Sequence, residues 1–456
     1  MAGIGFELRK LLRRQSYSGL LQAYAYAGII SAGPWILSII GILLIGILSI
    51  GVVTPRGLIV QFQVSVTYVM AGSLILTGVV QLAFTRFIAD RLFEKKDDWV
   101  LPNFNGLLLV TVAVSGVVGL AVVVTLFAQE SVLYRLLLLA AFVIMCATWV
   151  AAVFLSGMKR YKEIVALFFL GYIVVIGAAL LLRPFGLEGL MTGFVCGHFL
   201  LLTGMMTLIY RSFRSGRGVG FDLFRPGAMF GSLALTGLFY NAAIWADKFI
   251  FWFTPETSQH VIGPLRASVI YDLPIFLAYL AIIPGMAVFL VRIETDFVEY
   301  YDKFYDSVRD GAPLATIERT RNNLVYSARQ GLFDIAKIQA VTVLIVLALG
   351  ERLLQWIGIS PLYLPLLSVD VVATSLQVIL LGILNILFYL DKRRMVTLLT
   401  ALFLVSNTLF SWLSIQMGAS FFGYGFALSL LLTVLVGLWW LDRRFDALEY
   451  ETFMLQ

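Results

Sequence analysis

Long apolar stretches recur about twelve times along this chain, and the short linkers between them alternate between basic and nearly charge-free. A bilayer core ~30 Å thick needs ~20 apolar residues per helical span. Twelve such stretches use up most of 456 residues, so the chain is read as mostly membrane. The stretches cover 20–52, 60–88, 107–127, 132–155, 164–182, 187–209, 229–253, 269–291, 335–357, 366–390, 395–417 and 421–441. They are helices and not barrel strands, being about twice the ~10 residues of a barrel strand and lacking its alternation.

Composition agrees, with 60% hydrophobic and only 13% charged residues. The basic residues are spread over many linkers, which excludes a nucleic-acid face. Cys146 and Cys196 both fall inside apolar runs and read as small buried residues. The first apolar run is too long for a signal-peptide core and reads as a retained span.

Charge orients the chain. Of its 33 Lys and Arg, 27 lie at the N-terminus, in the linkers after even-numbered spans, and at the C-terminus. The other side holds Arg56, Arg135, Arg183, Lys248, Arg266 and Arg352. The positive-inside rule assigns the rich side, with both termini, to the cytoplasm. Six spans return the chain to its starting side, so a second six can repeat the first in the same orientation. Basic stretches precede both the first and the seventh span, in keeping with such a repeat, although both also fit plain positive-inside flanks. The expected organisation is a cytoplasmic amphipathic segment (1–19), a first lobe (20–210), a basic linker (211–228), a second lobe (229–441) carrying a cytoplasmic amphipathic loop (292–334), and a cytoplasmic tail (442–456). Two six-helix bundles suit an alternating-access carrier.

Several chemistries find no support. No G-x-x-x-x-G-K-[ST] phosphate loop occurs. The longest cytoplasmic segment, about forty residues, is short for a nucleotide-sugar domain, since domains usually need about 50 or more. His198 and His260 are too few and too separated for a metal site. No cofactor and no catalytic residue is expected, and the chain is not read as an enzyme.

The N-terminal run Gly3-Ile4-Gly5-Phe6-Glu7-Leu8-Arg9-Lys10-Leu11-Leu12 and the segment Arg292-Ile293-Glu294-Thr295-Asp296-Phe297 resemble the PelG family of bacterial Pel exopolysaccharide export. Length and span layout match over essentially the whole chain. The resemblance implies an all-α, flippase-like fold akin to the multidrug/oligosaccharidyl-lipid/polysaccharide flippases, with two lobes of six transmembrane helices around a central cavity. It further implies an inner-membrane location and an N-acetylhexosamine-rich, partly deacetylated polysaccharide as substrate. The implied partners are a cytoplasmic glycosyltransferase and other membrane subunits of a synthase complex. No catalytic residue carries over.

Polar groups inside a membrane are costly and usually face a cavity or a partner. In the seventh stretch Asn241, Trp245, Lys248 and Trp252 share one helical face. In the eighth, Asp272, Phe276 and Tyr279 form a similar stripe. Gln61, Ser65 and Tyr68 do so in the second, and Tyr24, Ser31 and Trp35 in the first. Rings with hydrogen-bonding neighbours suit a carbohydrate. Plain helix–helix hydrogen bonding and an interfacial aromatic belt account for the same residues. Asp247 and Lys248 point about 100° apart and should pair poorly with each other, so Asp272 is the expected partner of Lys248, in a breakable outer gate.

Ser31-Ala32-Gly33-Pro34, Pro274 and Ile283-Pro284-Gly285 are expected to interrupt their helices. In the long loop, Phe297, Tyr300, Tyr301 and Phe304 recur at helical spacing among acids and are expected to dock a protein partner. A cap folded back on the protein's own face is the alternative. An ion-coupled small-molecule or drug exporter on the same scaffold, and a non-transporting scaffold for the synthase, are the competing functions. Few acids lie at mid-membrane depth, which weighs against proton antiport.

Overall fold

The structure, a computed structural model, describes residues 17–158, 160–213 and 215–454. The N-terminal amphipathic segment and the first family-like run lie outside them, apart from residues 17–19.

Helices dominate because the apolar stretches contain few breakers and their backbone groups must bond within each segment once water is excluded. In chain order they are α1 (Tyr17–Ser49), α2 (Gly57–Phe93), α3 (Val100–Leu126), α4 (Val132–Gly157), α5 (Tyr161–Leu182), α6 (Gly186–Ser212) and α7 (Gly231–Phe253). A hairpin, β1 (Gln259–Ile262) and β2 (Leu265–Ala267), comes next. Then follow α8 (Val269–Leu280), α9 (Ile283–Val291), a π-helical turn (Arg292–Phe297), α10 (Val298–Arg309), α11 (Leu314–Ile357), α12 (Leu364–Tyr389), α13 (Arg393–Met417), α14 (Tyr424–Asp446) and α15 (Leu448–Met454). Among the described residues, nine stretches are long and apolar enough to cross a membrane by length and composition. One of these, 162–212, holds both α5 and α6.

Two compact units form: the described residues of Met1–Ala32 together with Ile270–Gln456, and Gly33–Val269. Compactness thus groups α7 with the helices before it.

In the Gly33–Val269 unit the core is aromatic. Phe84, Phe104 and Phe154 from α2, α3 and α4 meet with centroids 4.8 to 6.5 Å apart. Helix α6 presses onto α5 through Gly193 and Gly197. A Cβ on Gly193 would lie 2.3 Å from the Ala179 nitrogen, and one on Gly197 2.7 Å from the Val175 Cα. Where lipid tails are as apolar as the helix faces, such close backbone packing drives association. His198 is buried in the same hairpin, its Nδ1 3.0 Å from the Phe194 carbonyl and its Nε2 3.3 Å from the Tyr172 hydroxyl. Arg183 donates to the Leu48 carbonyl at the end of α1, where a cation also meets the negative end of the helix dipole. Cys146 is buried as expected, but Cys196 is exposed on α6.

The other unit has a different texture. Helices α8 and α9 are broken between Leu280 and Ile283, where Pro284 starts the new helix. The other two expected breaks do not interrupt their helices. Helix α1 runs through Gly33-Pro34, and Pro274 lies inside α8, where its missing N–H leaves the Ile270 carbonyl without its usual i+4 donor while the helix continues. The later part of the amphipathic loop, 314–334, does not form a helix of its own. Its residues form the first half of α11, 44 residues long, since no proline separates them from the apolar stretch that follows.

Candidate functional site: the α2–α7 seam and its hairpin

Helices α2 and α7 cross at a pair of glycines. A Cβ on Gly237 would lie 2.1 Å from the Gly78 carbonyl oxygen, and one on Gly78 2.8 Å from that of Gly237. Only hydrogen fits at both positions, so the two backbones touch. Asn241, one turn on, donates to the Gly237 carbonyl (2.8 Å), and its amide nitrogen would lie 2.7 Å from a Cβ on Gly78. It therefore seals the crossing.

Farther along α7, Trp245 and Trp252 are buried, as are Asp247 (0% exposed) and Lys248 (1%). The Lys248 ammonium donates to the Ile244 carbonyl (2.9 Å) and to both Asp247 oxygens (3.0 and 3.3 Å), and lies 6.0 Å from the Trp245 ring centre. Adjacency does not keep the pair apart, contrary to the expectation from helix geometry. A lysine stem leans toward the helix N-terminus and is long enough to curl across the 100° that separates it from its neighbour. A charge at mid-bilayer costs ~2.5–3.5 kcal/mol on insertion scales, which explains why both charges take partners inside the protein.

The α2 stripe faces the far end of α7. Tyr68 stacks on Trp252 with centroids 4.5 Å apart, and its hydroxyl donates to the Arg266 carbonyl (2.9 Å). Gln61 donates to the Val261 carbonyl (3.3 Å). Ser65 donates to the Gln61 carbonyl (2.6 Å) and lies 2.7 Å from the Tyr134 hydroxyl. These bonds tie the β-hairpin to the end of α2. Its turn is Gly263-Pro264, with Gly263 at φ +51°, in the left-handed region that glycine tolerates. Arg266 is clamped by Ser258 through its Nε at 2.8 Å.

The structure thus gathers Gln61, Tyr68, Asn241, Trp245 and Lys248 in one unit. Asp272 and Tyr279 belong to the other, where Asp272 is half-buried at the start of α8 and Tyr279 is buried. Tyr24 also lies there, half-buried and within electrostatic reach of Arg292, Asp296 and Asp334. The side chains of Ser31 and Trp35 lie outside the described ones.

The aromatic row of the long loop is not an exposed dock. Phe297 and Phe304 are buried. Phe297 packs on Tyr389 (5.7 Å) and Tyr301 on Tyr389 (5.5 Å) and Tyr305 (4.5 Å). Tyr300 is half-buried. An amphipathic helix followed by an apolar one finds its nearest apolar partner in its own chain. Sequence reasoning passed over Glu294, which accepts from Asn385 Nδ2 (2.7 Å) and the Tyr389 hydroxyl (3.2 Å) and pins the π turn to α12. It also passed over the hairpin, although Gly-Pro between two short runs is a turn signal.

Among the described residues no three His, Cys, Asp or Glu converge as a metal site. The fold is that of MOP-superfamily transporters. An outward-facing multidrug resistance MATE family transporter is 14% identical, with 93% of this chain and 96% of that one covered, at a TM-score of 0.63. The inward-facing conformation of such a transporter gives 14%, the same coverage and 0.61. A MOP superfamily transporter from Pyrococcus furiosus gives 15%, 93% and 96%, and 0.61. No curated protein matches the chain. The PelG family, described as "Putative exopolysaccharide Exporter (EPS-E)", matches residues 1–453, and the chain therefore belongs to the PelG family of multi-pass membrane proteins.

Proposed function

We propose that this protein carries the N-acetylhexosamine-rich Pel polysaccharide across the bacterial inner membrane, with both termini in the cytoplasm. It would act as the transport subunit of a complex in which a cytoplasmic glycosyltransferase makes the polymer. The family match over residues 1–453 is the observation that carries this reading. Support comes from the α7 face, where rings and hydrogen-bonding groups stand beside a buried ion pair. That combination is expensive unless a polar cargo or a moving part uses it. The substrate path is assigned to Asn241, Trp245 and Lys248, with Gln61 and Tyr68 at its outer end.

Neither sugar transfer nor ATP hydrolysis is part of the proposal. Residues 292–334 are largely taken up by the π turn, α10 and the first half of α11. The test is polymer export by cells that express the whole synthase with Lys248→Ala in this chain. Export should fall by more than any loss of folded protein accounts for; unchanged export would remove α7 from the path.

A second reading, an ion-coupled exporter of small molecules, is favoured by the multidrug transporters among the fold relatives. Polymer export insensitive to ionophores, with no drug flux in proteoliposomes, would exclude it.

A further inference from the structure

The linker between α6 and α7 is a strap fixed to the start of α3. Gly220 donates its N–H to the Pro102 carbonyl (2.8 Å). The two backbones come so close that a Cβ on Gly106 would lie 1.9 Å from the Gly220 carbonyl oxygen. Asn105 Nδ2 donates to the Gly218 carbonyl (2.7 Å), and the Ser215 hydroxyl to the Asp98 carbonyl (2.8 Å). Asn103 grips the far end, donating to the Asp222 carboxylate (3.1 Å) and accepting from the Leu223 N–H (3.2 Å). A segment held at so many points presents its outward side chains in a set place.

Those side chains are cations and rings. The Arg217 guanidinium carbon lies 5.7 Å from the centre of the Trp99 ring, the Lys96 ammonium 5.7 Å and the Arg91 guanidinium carbon 6.0 Å. Each is close enough to be drawn to the indole face, but the three repel one another. Glu94 meets Arg91 (2.8 Å) and Lys96 (2.9 Å), and Arg225 is spent on Asp222 (2.8 Å). Arg217 forms no ion pair among the described residues. Asp97 and Asp98 stand just before α3, where the positive end of the helix dipole takes their charge. Phe221 and Phe224 on the strap are exposed, and Phe93, two residues beyond Arg91, is 89% exposed. Past the strap the outer face of α3 is apolar, with Leu109, Val112, Val117 and Leu120 all exposed.

An exposed apolar face on a spanning helix is a lipid face, so the strap lies where acyl chains end and headgroups begin. Exposed phenylalanines at that level gain by entering the acyl boundary, and cations beside them attract anionic headgroups. Arg217, held beside two other cations with one carboxylate among the three, calls for a further anion. We propose that the strap is a binding site for an anionic phospholipid. Its phosphate sits among Arg217, Lys96 and Arg91 at Trp99, and its acyl chains pack on Phe221 and the outer face of α3. The Phe221 ring edge would lie 3.2 Å from a Cβ on Gly106, so the ring already rests against that helix. The strap leads into α7, and a lipid bound there steadies the entry of the helix that carries Asp247 and Lys248. The site does not depend on the carrier reading; only its assignment to the cytoplasmic leaflet rests on the orientation proposed above.

The test follows amide exchange of 215–225 by mass spectrometry, in the full chain held in a neutral detergent, while a probe is added. The probes are phosphatidylglycerol, phosphatidylcholine with the same acyl chains, and glycerol phosphate without chains. Phosphatidylglycerol should slow exchange saturably, and phosphatidylcholine should need about tenfold more lipid for the same effect. Arg217→Gln and, separately, Lys96→Gln should each raise the half-saturating phosphatidylglycerol concentration about fivefold. Arg329→Gln, an equal change of charge outside the strap, should leave it where it is. Equal half-points for the two lipids, glycerol phosphate acting as well as phosphatidylglycerol, half-points unmoved by both strap variants, or an equal shift with Arg329→Gln would each overturn the proposal. Absence of saturable slowing would overturn it too, and would leave the cations to an acidic protein partner. The measurement is blind to orientation and to transport, so its failure and that of the export assay are distinguishable.

Discussion

The α2–α7 seam and the cap built by α10, α11 and α15 solve the same problem, holding charged residues against apolar helices, in opposite ways. At the seam a fully buried ion pair lies three turns along α7 from a backbone contact that tolerates nothing larger than hydrogen. In the cap the charges are many and partly wet. Lys392 and Arg444 both meet Glu451, Arg321 meets Glu449 at 2.9 Å, and Arg329 meets Asp442 at 2.5 Å. The aromatic residues beneath them supply the adhesion. A buried pair is weak evidence for stability and is costly to break. A wet network is redundant, and each bond in it is worth little. The difference marks the seam as the place where sequence change should be felt most and the cap as the place where burial, not charge, decides.

The largest effect should come from Lys248→Ala, which leaves Asp247 charged and buried. A loss of about 3–5 kcal/mol is expected in thermal unfolding. Asp247→Asn with Lys248→Met should cost less than the sum of the single changes, and strict additivity would mean that the two do not act as a pair. Phe304→Ala should cost about as much, ~3–5 kcal/mol, through the cavity it opens in the cap. Retained stability with lost synthase binding would instead restore the partner dock.

Smaller is the expected effect of Gly237→Ala, about 1–3 kcal/mol of overpacking, because the methyl meets a carbonyl that belongs to a helix backbone. If unfolding stays unchanged, α2 and α7 separate readily there, and the seam is loose.

Weaker still is the acid response of the C-terminal helix. Burial raises the Glu451 carboxyl, but Lys392 and Arg444 outweigh it and hold the group below its ordinary value. A lowered folded-state pKa contributes stability above the unfolded value, and that contribution is lost as pH falls through the folded one. Amide protection factors in 448–454 should therefore be high at neutral pH and fall once pH drops below about 4.3. Protection that is flat with pH would show that the helix is held by Leu448 and Thr452 alone. Last comes Arg329→Ala. Its pair is 58% and 61% exposed, and a change above ~1 kcal/mol would contradict the view of the cap as redundant.

Much of this architecture is legible in the sequence because length, hydropathy and charge are properties of single segments. Helices occupy the apolar stretches, with the eighth split at Pro284 and the ninth extended backward into α11. The stripe Gln61-Ser65-Tyr68 was visible as a polar face, and Asn241-Trp245-Lys248 as another. That the two faces share a compact unit was not visible, because facing helices in an apolar setting carry no marker of which neighbour is theirs. The marker is the glycine pair, Gly78 and Gly237, and glycine is too common in this chain, at 39 residues, to stand out.

Alone, the sequence determined the class of molecule: a nearly all-helical membrane chain whose family is readable over nearly its full length. Tertiary structure decided that Lys248 turns onto its neighbour Asp247, that Phe297 and Phe304 are buried, and that the hairpin is tied to Gln61 and Tyr68. The physical reason is range. Spanning a bilayer depends on ~20 consecutive residues. Burying a ring or tying a hairpin to a distant helix depends on contacts between residues far apart in the chain, which only the packed backbone brings within hydrogen-bond distance of one another; the lysine's turn onto its neighbour depends on the packing that excludes water around it.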